Sequence, residues 1–280
     1  APAQQDLPAN LLELCETLEA KRQEYHIPGM ALVIVHNDQV LLARGFGVAE
    51  TESGKRVDAD TLFCIGSSTK SFTSAAVGMM VEAGKMSWDD PVNKHLPGFQ
   101  LNVDGADDDV VLMRDVLSPR TGFPRMSVLF ASGKVGRSEI LETVANAKPW
   151  KPFRQQFYYN NVQFLAAGEA LAAAAGISWD EFIQQRFFSP LGMKNSFTTL
   201  TPAQKSGRFH DGYIWLEDRA LLRKLPARDL NNIAPAGSII SGASDMSRWL
   251  KLLLKKGSYN GEQLFTPETL QACWEPQITM

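Results

Sequence analysis

The first fifty residues show two successive patterns of apolar and polar positions. Between Leu11 and Tyr25 the apolar side chains recur every three or four residues, and the breaker Ile27-Pro28-Gly29 follows. That spacing places an apolar stripe along one face of a helix, so it predicts an opening helix that ends before the breaker.

Two runs rich in β-forming residues come next. They are Met30–His36 and Val40–Phe46, and the polar pair Asn37-Asp38 separates them. This arrangement predicts an antiparallel hairpin with a tight turn. Because an isolated two-stranded hairpin is only marginally stable in water, the sheet is expected to need more strands than the sequence pattern shows.

From about residue 66 the pattern becomes mostly helical. Loops rich in Pro and Gly interrupt it near 91–98, 118–124 and 149–152, and Asp245–Leu254 has the spacing of a further amphipathic helix. The sequence therefore predicts an α/β (α+β) fold, with an antiparallel sheet flanked by helices and an additional all-helical domain.

The same pattern suggests how the chain is divided. We assign the N-terminal helix and the first strands to residues 1–62 and the mostly helical part to 63–236. Residues 237–280 are predicted to return to the sheet.

The composition is that of an ordinary globular protein, with 280 residues of which 44% are hydrophobic and 21% charged. Lys and Arg (28) nearly balance Asp and Glu (31), and the net charge of −3 gives no basic field that would attract nucleic acid. The apolar stretches are shorter than the ~18–20 residues that a membrane span needs. We therefore expect no nucleic-acid partner and no membrane span.

The small residues at the start of the chain are what a signal peptidase leaves behind, which favours a periplasmic or secreted protein.

The three cysteines, Cys15, Cys64 and Cys273, lie far apart and outside any CxxC or Cys/His cluster. A disulfide framework and a structural zinc site are therefore not expected. The four histidines also lack metal-ligand spacing, and the sequence predicts no metal site.

The segment Phe63–Thr73 carries the first candidate chemistry. Gly66 breaks the strand-like run before it, and the residues from Ser67 to Gly84 are compatible with a helix. Ser67 would then lie in the first turn, with Lys70 three residues later on the same face. A Ser hydroxyl becomes a nucleophile when a neighbouring group accepts its proton, and a buried Lys with a lowered pKa can assist. A capped, exposed helix start is the structural alternative for such a string.

The run Phe157–Phe164 is the second candidate, because it contains Tyr159, Asn160 and Asn161. The structural alternative is an aromatic helix start that one of the two asparagines caps. A Tyr can instead act as a general base when a nearby cation lowers its pKa, and Lys70 could be that cation. The two segments would then form one site.

Together these segments resemble the penicillin-recognising serine hydrolases, in the branch of class C β-lactamases, D-alanyl-D-alanine peptidases and family VIII carboxylesterases. Phe63–Thr73 is similar to their SxxK segment, and Tyr159–Asn161 is similar to their Tyr-x-Asn motif. Leu117–Pro124 resembles their LSHTSGLP loop, and Pro235–Gly237 resembles their PAG segment. The resemblance covers nearly the whole chain.

The resemblance implies a β-lactamase/transpeptidase-like fold and acyl transfer without a metal or cofactor. It implies Ser67 as the nucleophile, Lys70 as its activating partner, and Tyr159 as the general base. It also implies that the amide of Asn161 contacts both substrate and Lys70. The expected partners are small-molecule or peptide substrates with ester, amide or β-lactam carbonyls, and the expected activity is esterase- or peptidase-like with weak β-lactamase activity.

Two departures from the family pattern affect this expectation. Pro119 replaces the family's His, and no Lys-Thr-Gly or His-x-Gly third motif follows the PAG segment. The tripeptide Lys205-Ser206-Gly207 is similar in sequence to the Lys-Thr-Gly motif, but it precedes Pro235 and is predicted to be a loop. We therefore expect an incomplete sheet, with a truncated chain or a separate C-terminal polypeptide as alternatives. A catalytically inactive binding relative is a further alternative to an active hydrolase.

Overall fold

The computed structural model describes residues 7–103 and 110–279 of the chain. In chain order, its α-helices and strands are α1 (Ala9–Glu24), β1 (Gly29–His36), β2 (Gln39–Glu50), β3 (Lys55–Arg56), β4 (Phe63–Cys64), α2 (Thr69–Glu82), α3 (Val92–His95), α4 (Met113–Leu117), α5 (Ser127–Ala131), α6 (Arg137–Ala145), α7 (Val162–Ala175), α8 (Trp179–Ile183), α9 (Ser189–Leu191), α10 (Leu200–Lys205), β5 (Gly212–Leu216), β6 (Leu221–Leu225), α11 (Ala234–Gly237), β7 (Ile240–Ser241), α12 (Ala243–Leu254), β8 (Ser258–Tyr259), β9 (Glu262–Gln263) and α13 (Pro267–Trp274). The combination of helices with small antiparallel sheets confirms the predicted α/β (α+β) class.

The predicted N-terminal hairpin is present and belongs to a three-stranded sheet. β1 pairs antiparallel with β2 from Gly29 opposite Gly47 to His36 opposite Gln39, and β3 pairs with the other side of β2. The turn residue Asn37 has a φ of 54°, in the left-handed region that Asn tolerates better than most residues. α1 packs against β2 and α12 packs against β1 and β2, so both helices predicted from apolar spacing are part of this layer.

The sequence pattern does not predict the hairpin formed by β5 and β6. Its strands pair from Gly212 opposite Leu225 to Leu216 opposite Leu221, within the part of the chain predicted to be mostly helical. Its side chains are half-buried or exposed. Because so little of this hairpin packs into a core, its sequence lacks the regular apolar alternation that predicts a strand.

The main core is built around α2 and α7. Phe72 of α2 stacks on Trp249 of α12 with the ring centroids 3.8 Å apart, and both side chains are buried. In α7, Gly168 faces Pro235, and a Cβ at this glycine would overlap the proline ring. The glycine therefore allows α11 to approach α7 closely, which holds the PAG segment against the core.

A short strand pair brings distant parts of the sequence together. β4 and β7 pair antiparallel, with Phe63 opposite Ser241 and Cys64 opposite Ile240. The backbone N–H of Ile65 extends this pairing by donating to the carbonyl of Ile239 at 3.0 Å. Since α2 closely follows β4 and α11 closely precedes β7, the pairing places the start of α2 beside α11.

Asp115 of α4 is a buried carboxylate held by two arginines. The Nε of Arg120 donates to its Oδ1 at 2.7 Å, and the Nη2 of Arg154 donates to its Oδ2 at 2.6 Å. The backbone N–H of Leu112 also donates to Oδ2 at 2.9 Å. Asp115 thereby ties the loop that contains Arg120 to the loop that contains Arg154.

Asp115→Ala is expected to lower the free energy of unfolding by about 3 kcal/mol, because loss of one partner leaves the remaining buried charge uncompensated. Urea unfolding followed by circular dichroism measures this change. Asp89→Ala is the matched control: Asp89 pairs with Arg114, but its side chain is 63% exposed. The control is expected to change the free energy of unfolding by less than ~1 kcal/mol. Equal losses in the two variants would contradict the role given to Asp115.

Within 7–103 and 110–279, no single helix is long and apolar enough to cross a membrane. α7 together with the stretch Trp179–Leu191 passes the length and composition test only as a pair, and the pair is bent by 78°. Many of the apolar side chains of this pair are buried in the main core.

Candidate active site

Ser67 lies on a 310 turn, Gly66–Ser68, that connects β4 to α2. Gly66 has a φ of 54°, in the left-handed region that glycine adopts without steric cost. The turn leaves the Ser67 side chain exposed to solvent. The sequence places Ser67 in the first helical turn, whereas the structure places it directly before α2, with Lys70 in the first turn of that helix. The hydroxyl and the amine are still neighbours.

Lys70 is surrounded by three hydrogen-bond acceptors. Its Nζ donates to Ser67 Oγ at 3.0 Å, to Asn161 Oδ1 at 2.8 Å and to the backbone carbonyl of Ala236 at 2.7 Å. An ammonium group has three N–H donors, and each of them has a partner here. The three contacts therefore fit the protonated form of Lys70.

The environment of Lys70 is partly apolar and aromatic. Its Nζ lies 4.9 Å from the ring centroid of Tyr159 and 5.2 Å from that of Phe164. Burial lowers the pKa of Lys70, and the interaction with Tyr159 opposes this effect only in part. Lys70 can therefore lose its proton more easily than an exposed lysine.

Tyr159 completes the contact around Ser67. Its hydroxyl lies 2.5 Å from Ser67 Oγ, and the guanidinium carbon of Arg125 lies 5.3 Å from its ring centroid. Burial raises the pKa of Tyr159, but its interactions with the Lys70 ammonium group and the Ser67 hydroxyl and the charge of Arg125 outweigh burial, and the pKa falls below its usual value. The phenol is thus set to lose a proton more easily than an ordinary tyrosine.

The two adjacent asparagines have different contacts. Asn161 faces Lys70, whereas Asn160 is buried and caps α7: its Oδ1 accepts from the backbone N–H of Val162 at 2.8 Å and of Gln163 at 3.4 Å. Asn160 therefore caps α7, whereas Asn161 contacts Lys70, and the role of Asn161 in substrate binding stays a prediction. Within this run, Tyr159 is the residue that contacts Ser67, and Asn161 is the residue that contacts Lys70.

The PAG segment reaches the site through its backbone. The carbonyl of Ala236 accepts from Lys70, and the carbonyl of Pro235 accepts from Thr73 Oγ1 at 2.7 Å. Trp179 Nε1 in turn donates to Thr73 Oγ1 at 3.1 Å. These buried contacts fix α11 against α2. Sequence reasoning missed both carbonyls, because a carbonyl contact leaves no side-chain signal.

The loop Leu117–Pro124 packs beside Tyr159. The carbonyl of Pro119 accepts from the backbone N–H of Tyr158 at 2.7 Å, so the residue that replaces the family's His contacts the Tyr159 segment through its backbone. Asn160 Nδ2 donates to the carbonyl of Pro124 at 2.5 Å. This places Arg125, which follows the loop, next to Tyr159. Sequence reasoning missed Arg125, and its position directly after a motif loop is the only signal that could have found it.

Taken together, the site offers an exposed hydroxyl, a phenol with a lowered pKa in contact with it, and an ammonium group that contacts the hydroxyl. Such a set can remove the proton from the hydroxyl and return a proton to a leaving group. Within the part of the chain that the structure describes, no group of three or more His, Cys, Asp or Glu side chains could hold a metal ion.

The sequence matches a known protein family and curated relatives. Residues 15–274 match the family model described as Beta-lactamase. The unguisins hydrolase ungD' of Aspergillus campestris is 27% identical over 271 residues, which cover 94% of this chain and 50% of that protein. The chain therefore spans about half the length of this relative.

Solved structures share the fold. The octameric penicillin-binding protein homologue from Pyrococcus abyssi superposes with a TM-score of 0.79 at 26% identity, over 93% of this chain and 59% of that chain. EstCE1, a hydrolase with promiscuous acyltransferase activity, superposes with a TM-score of 0.76 at 18% identity, over 93% of this chain and 75% of that chain. The predicted β-lactamase/transpeptidase-like fold is thereby confirmed.

Proposed function

Because the chain belongs to the beta-lactamase family, we propose that it is a serine hydrolase that forms an acyl-enzyme on Ser67. The observation that carries this proposal is the contact of Ser67 Oγ with Tyr159 Oη at 2.5 Å and with Lys70 Nζ at 3.0 Å. In this arrangement the phenol of Tyr159 can accept the proton of the Ser67 hydroxyl, and the ammonium group of Lys70 can compensate the negative charge that develops.

In the acylation step, Ser67 Oγ attacks the carbonyl carbon of the substrate and its proton passes to Tyr159 Oη. Tyr159 must first be ionised to accept this proton, and the neighbouring charges of Lys70 and Arg125 favour the ionised form. Lys70 donates to three acceptors and so acts as the positive charge beside the phenolate. In this proposal Tyr159 is the general base, and Lys70 activates Ser67 by stabilising the phenolate that accepts its proton.

The tetrahedral intermediate then collapses as the bond to the leaving group breaks. Tyr159 returns the proton to the leaving alcohol or amine, and an acyl-enzyme remains on Ser67. Water attacks this ester while Tyr159 takes a proton from the water, and Tyr159 then returns that proton to Ser67 Oγ as the bond between Oγ and the acyl carbon breaks and the acid product leaves. Asn161 would orient the substrate while it holds Lys70 in place, since its Oδ1 accepts from Lys70.

The substrates are proposed to be small-molecule or peptide-like compounds with ester or amide carbonyls, with weak activity on β-lactams. The names of two similar proteins support this range, since one is a hydrolase of unguisins and another is a hydrolase with acyltransferase activity. The proposal includes a C-terminal polypeptide that supplies a third motif. Such a segment would complete the sheet and add a second hydrogen-bond donor, beside the backbone N–H of Ser67, for the oxyanion of the tetrahedral intermediate.

A fluorophosphonate probe tests this proposal. Its phosphorus is attacked by an activated hydroxyl, fluoride leaves, and a stable covalent adduct remains. We expect one adduct per chain, mapped by tandem mass spectrometry to Ser67, and hydrolysis of 4-nitrophenyl butyrate that the probe abolishes. An adduct on a different residue would overturn the nucleophile assignment. Labelling of Ser67 without any turnover would favour a binding relative over a hydrolase.

A further inference from the structure

We propose that Thr69 and Thr73 are positioning residues of the candidate site, because they hold the carbonyl of Ala236 against the ammonium group of Lys70. This inference rests on the proposed function, since it takes Lys70 as the charge that activates Ser67. It extends the site to two buried hydroxyls, neither of which forms a hydrogen bond with Ser67 or Lys70 in the described part of the chain.

The two threonines lie one helical turn apart on α2. Both side chains are fully buried, and Lys70 follows Thr69 directly in the same helix. Residues three or four apart are neighbours on a helix surface, so Thr73 lies beside both Thr69 and Lys70. All three side chains contact one short segment, 235–239, which contains the PAG residues.

Thr73 holds the first end of this segment. Its Oγ1 donates to the carbonyl of Pro235 at 2.7 Å and accepts from Trp179 Nε1 at 3.1 Å. A hydroxyl has a single O–H donor, and here that donor is committed to Pro235. Because Pro235 directly precedes Ala236, the contact also fixes the neighbouring carbonyl, which accepts from Lys70 Nζ at 2.7 Å.

Thr69 holds the other end of the segment. The backbone N–H of Ile239 donates to Thr69 Oγ1 at 3.2 Å, and the carbonyl of Ile239 accepts from the backbone N–H of Ile65 at 3.0 Å. Both backbone groups of Ile239 are therefore held by residues close to Ser67 in the sequence. The segment 235–239 is thus fixed on both sides of the carbonyl that Lys70 uses.

The groups around Lys70 show what this carbonyl does. In the described part of the chain, the titratable group beside Lys70 is Tyr159, and the guanidinium of Arg125 lies near the same ring. α7 and α11 present Lys70 with neutral groups, the ring of Phe164 and the carbonyl of Ala236. The carbonyl therefore stabilises the ammonium form of Lys70 without neutralising its charge.

Loss of this carbonyl contact would affect two pKa values. Burial lowers the pKa of Lys70, and an acceptor on the ammonium group opposes burial, so removal of the acceptor lowers that pKa further. Lys70 lowers the pKa of Tyr159, so a smaller fraction of charged Lys70 raises the pKa of the phenol. The pH range in which a phenolate and an ammonium group coexist therefore becomes narrower.

Three threonine variants and one control test the proposal. Thr73→Val removes one hydroxyl and keeps the shape of the side chain, Thr73→Ser retains the hydroxyl, and Thr69→Val removes the other hydroxyl. Thr143→Val is the control, because Thr143 is exposed on α6 and its hydroxyl donates to a backbone carbonyl within its own helix. The measurements are the second-order rate constant for fluorophosphonate labelling of Ser67 and kcat/KM for 4-nitrophenyl butyrate, each across a pH series.

We expect Thr73→Val to lower both rate constants about tenfold at the pH optimum of the wild type. Its pH profile should narrow from both sides, because the pKa of Tyr159 rises and that of Lys70 falls. Thr73→Ser should restore most of the rate and the profile, and Thr143→Val should change neither. Thr69→Val should narrow the profile in the same way with a smaller loss of rate, because Thr69 contacts the segment farther from Ala236.

A second background separates positioning from a general loss of packing. In Lys70→Met the Ala236 carbonyl has no ammonium group to hold, so adding Thr73→Val should change the labelling rate by less than about twofold. A threonine that serves only the stability of the fold would cause the same loss in both backgrounds. Circular dichroism checks that each variant is folded.

Wild-type rate constants and an unchanged pH profile in Thr73→Val would overturn the proposal, and so would equal losses in the two backgrounds. If Thr73→Val does not fold, the same criteria apply to Thr69→Val. If the probe labels Ser67 in the wild type and the threonine variants behave like it, the proposed function stands and this inference alone fails. If Ser67 of the wild type takes no label, both fail.

Discussion

Ser67→Ala is expected to reduce kcat/KM for 4-nitrophenyl butyrate by roughly 10³-fold or more. The Ser67 hydroxyl contacts both Tyr159 and Lys70, so its removal takes away the nucleophile while the proton-transfer groups stay in place. Because Ser67 is exposed and lies on a turn, the substitution should leave the fold intact. Initial rates of 4-nitrophenol release measure the loss, and circular dichroism checks the fold.

Ser68→Ala is the matched control for this variant. Ser68 is the next residue on the same turn and is also exposed, but its hydroxyl does not contact Tyr159 or Lys70. We expect it to retain activity within about threefold of the wild type, since surface substitutions away from the reacting groups have small effects. A Ser67→Ala protein that keeps most of its activity, and still loses it to a fluorophosphonate, would show that a different nucleophile carries the reaction.

The parts of the fold that the sequence predicts are those with a local signal. α1 and α12 have apolar residues at helical spacing, because each buries one face against a core, and the hairpin of β1 and β2 has two runs of β-forming residues around a polar pair. The hairpin of β5 and β6 has no such spacing and was missed. Strands that bury little surface against a core do not need alternating apolar and polar residues. Their sequence therefore carries no periodic pattern that predicts them.

The candidate site divides in the same way between local and distant contacts. Ser67 and Lys70 are three residues apart, and a helical spacing is enough to predict that they meet. Tyr159 reaches Ser67 from 92 positions away. The chemistry of a tyrosine beside a cation suggests that the two segments form one site, and the resemblance to a known family supports the same pairing. The resemblance implied that Asn161 contacts Lys70, and in the structure Asn161 Oδ1 accepts from Lys70 Nζ at 2.8 Å.

The contacts that sequence reasoning could not supply come from backbone groups and from charge balance. The carbonyl of Ala236 accepts from Lys70, but every residue has a carbonyl and the sequence cannot mark one as special. Asn160 was predicted as a possible cap, and its second role as a tether to Pro124 depends on the path of a distant loop. Arg125 matters because the fold brings its guanidinium to 5.3 Å from the ring centroid of Tyr159, which is a property of the folded state.

Lys70→Met is expected to lower kcat/KM for the same ester by about 10²–10⁴-fold. Methionine fills much of the same space but has no charge, so Tyr159 loses its strongest neighbouring cation while its burial persists. Burial raises the pKa of Tyr159 and Lys70 lowers it, so the pKa of Tyr159 should rise in the variant. Since the ionised phenol is the base, the remaining activity should require a higher pH than in the wild type. A pH profile of kcat/KM measures both the loss and the shift.

Two further variants separate the charge of Lys70 from its place in the fold. Lys85→Met removes an exposed lysine shortly after the end of α2 and should change neither the rate nor the pH profile. Tyr159→Phe keeps the ring beneath Lys70 but removes the proton acceptor, so its residual activity should lack the rise with pH that Tyr159 produces. If Lys70→Met were as slow as expected but kept the wild-type pH profile, Lys70 would not act through Tyr159. In that case Lys70 itself, whose pKa burial lowers, would be the better candidate for the base.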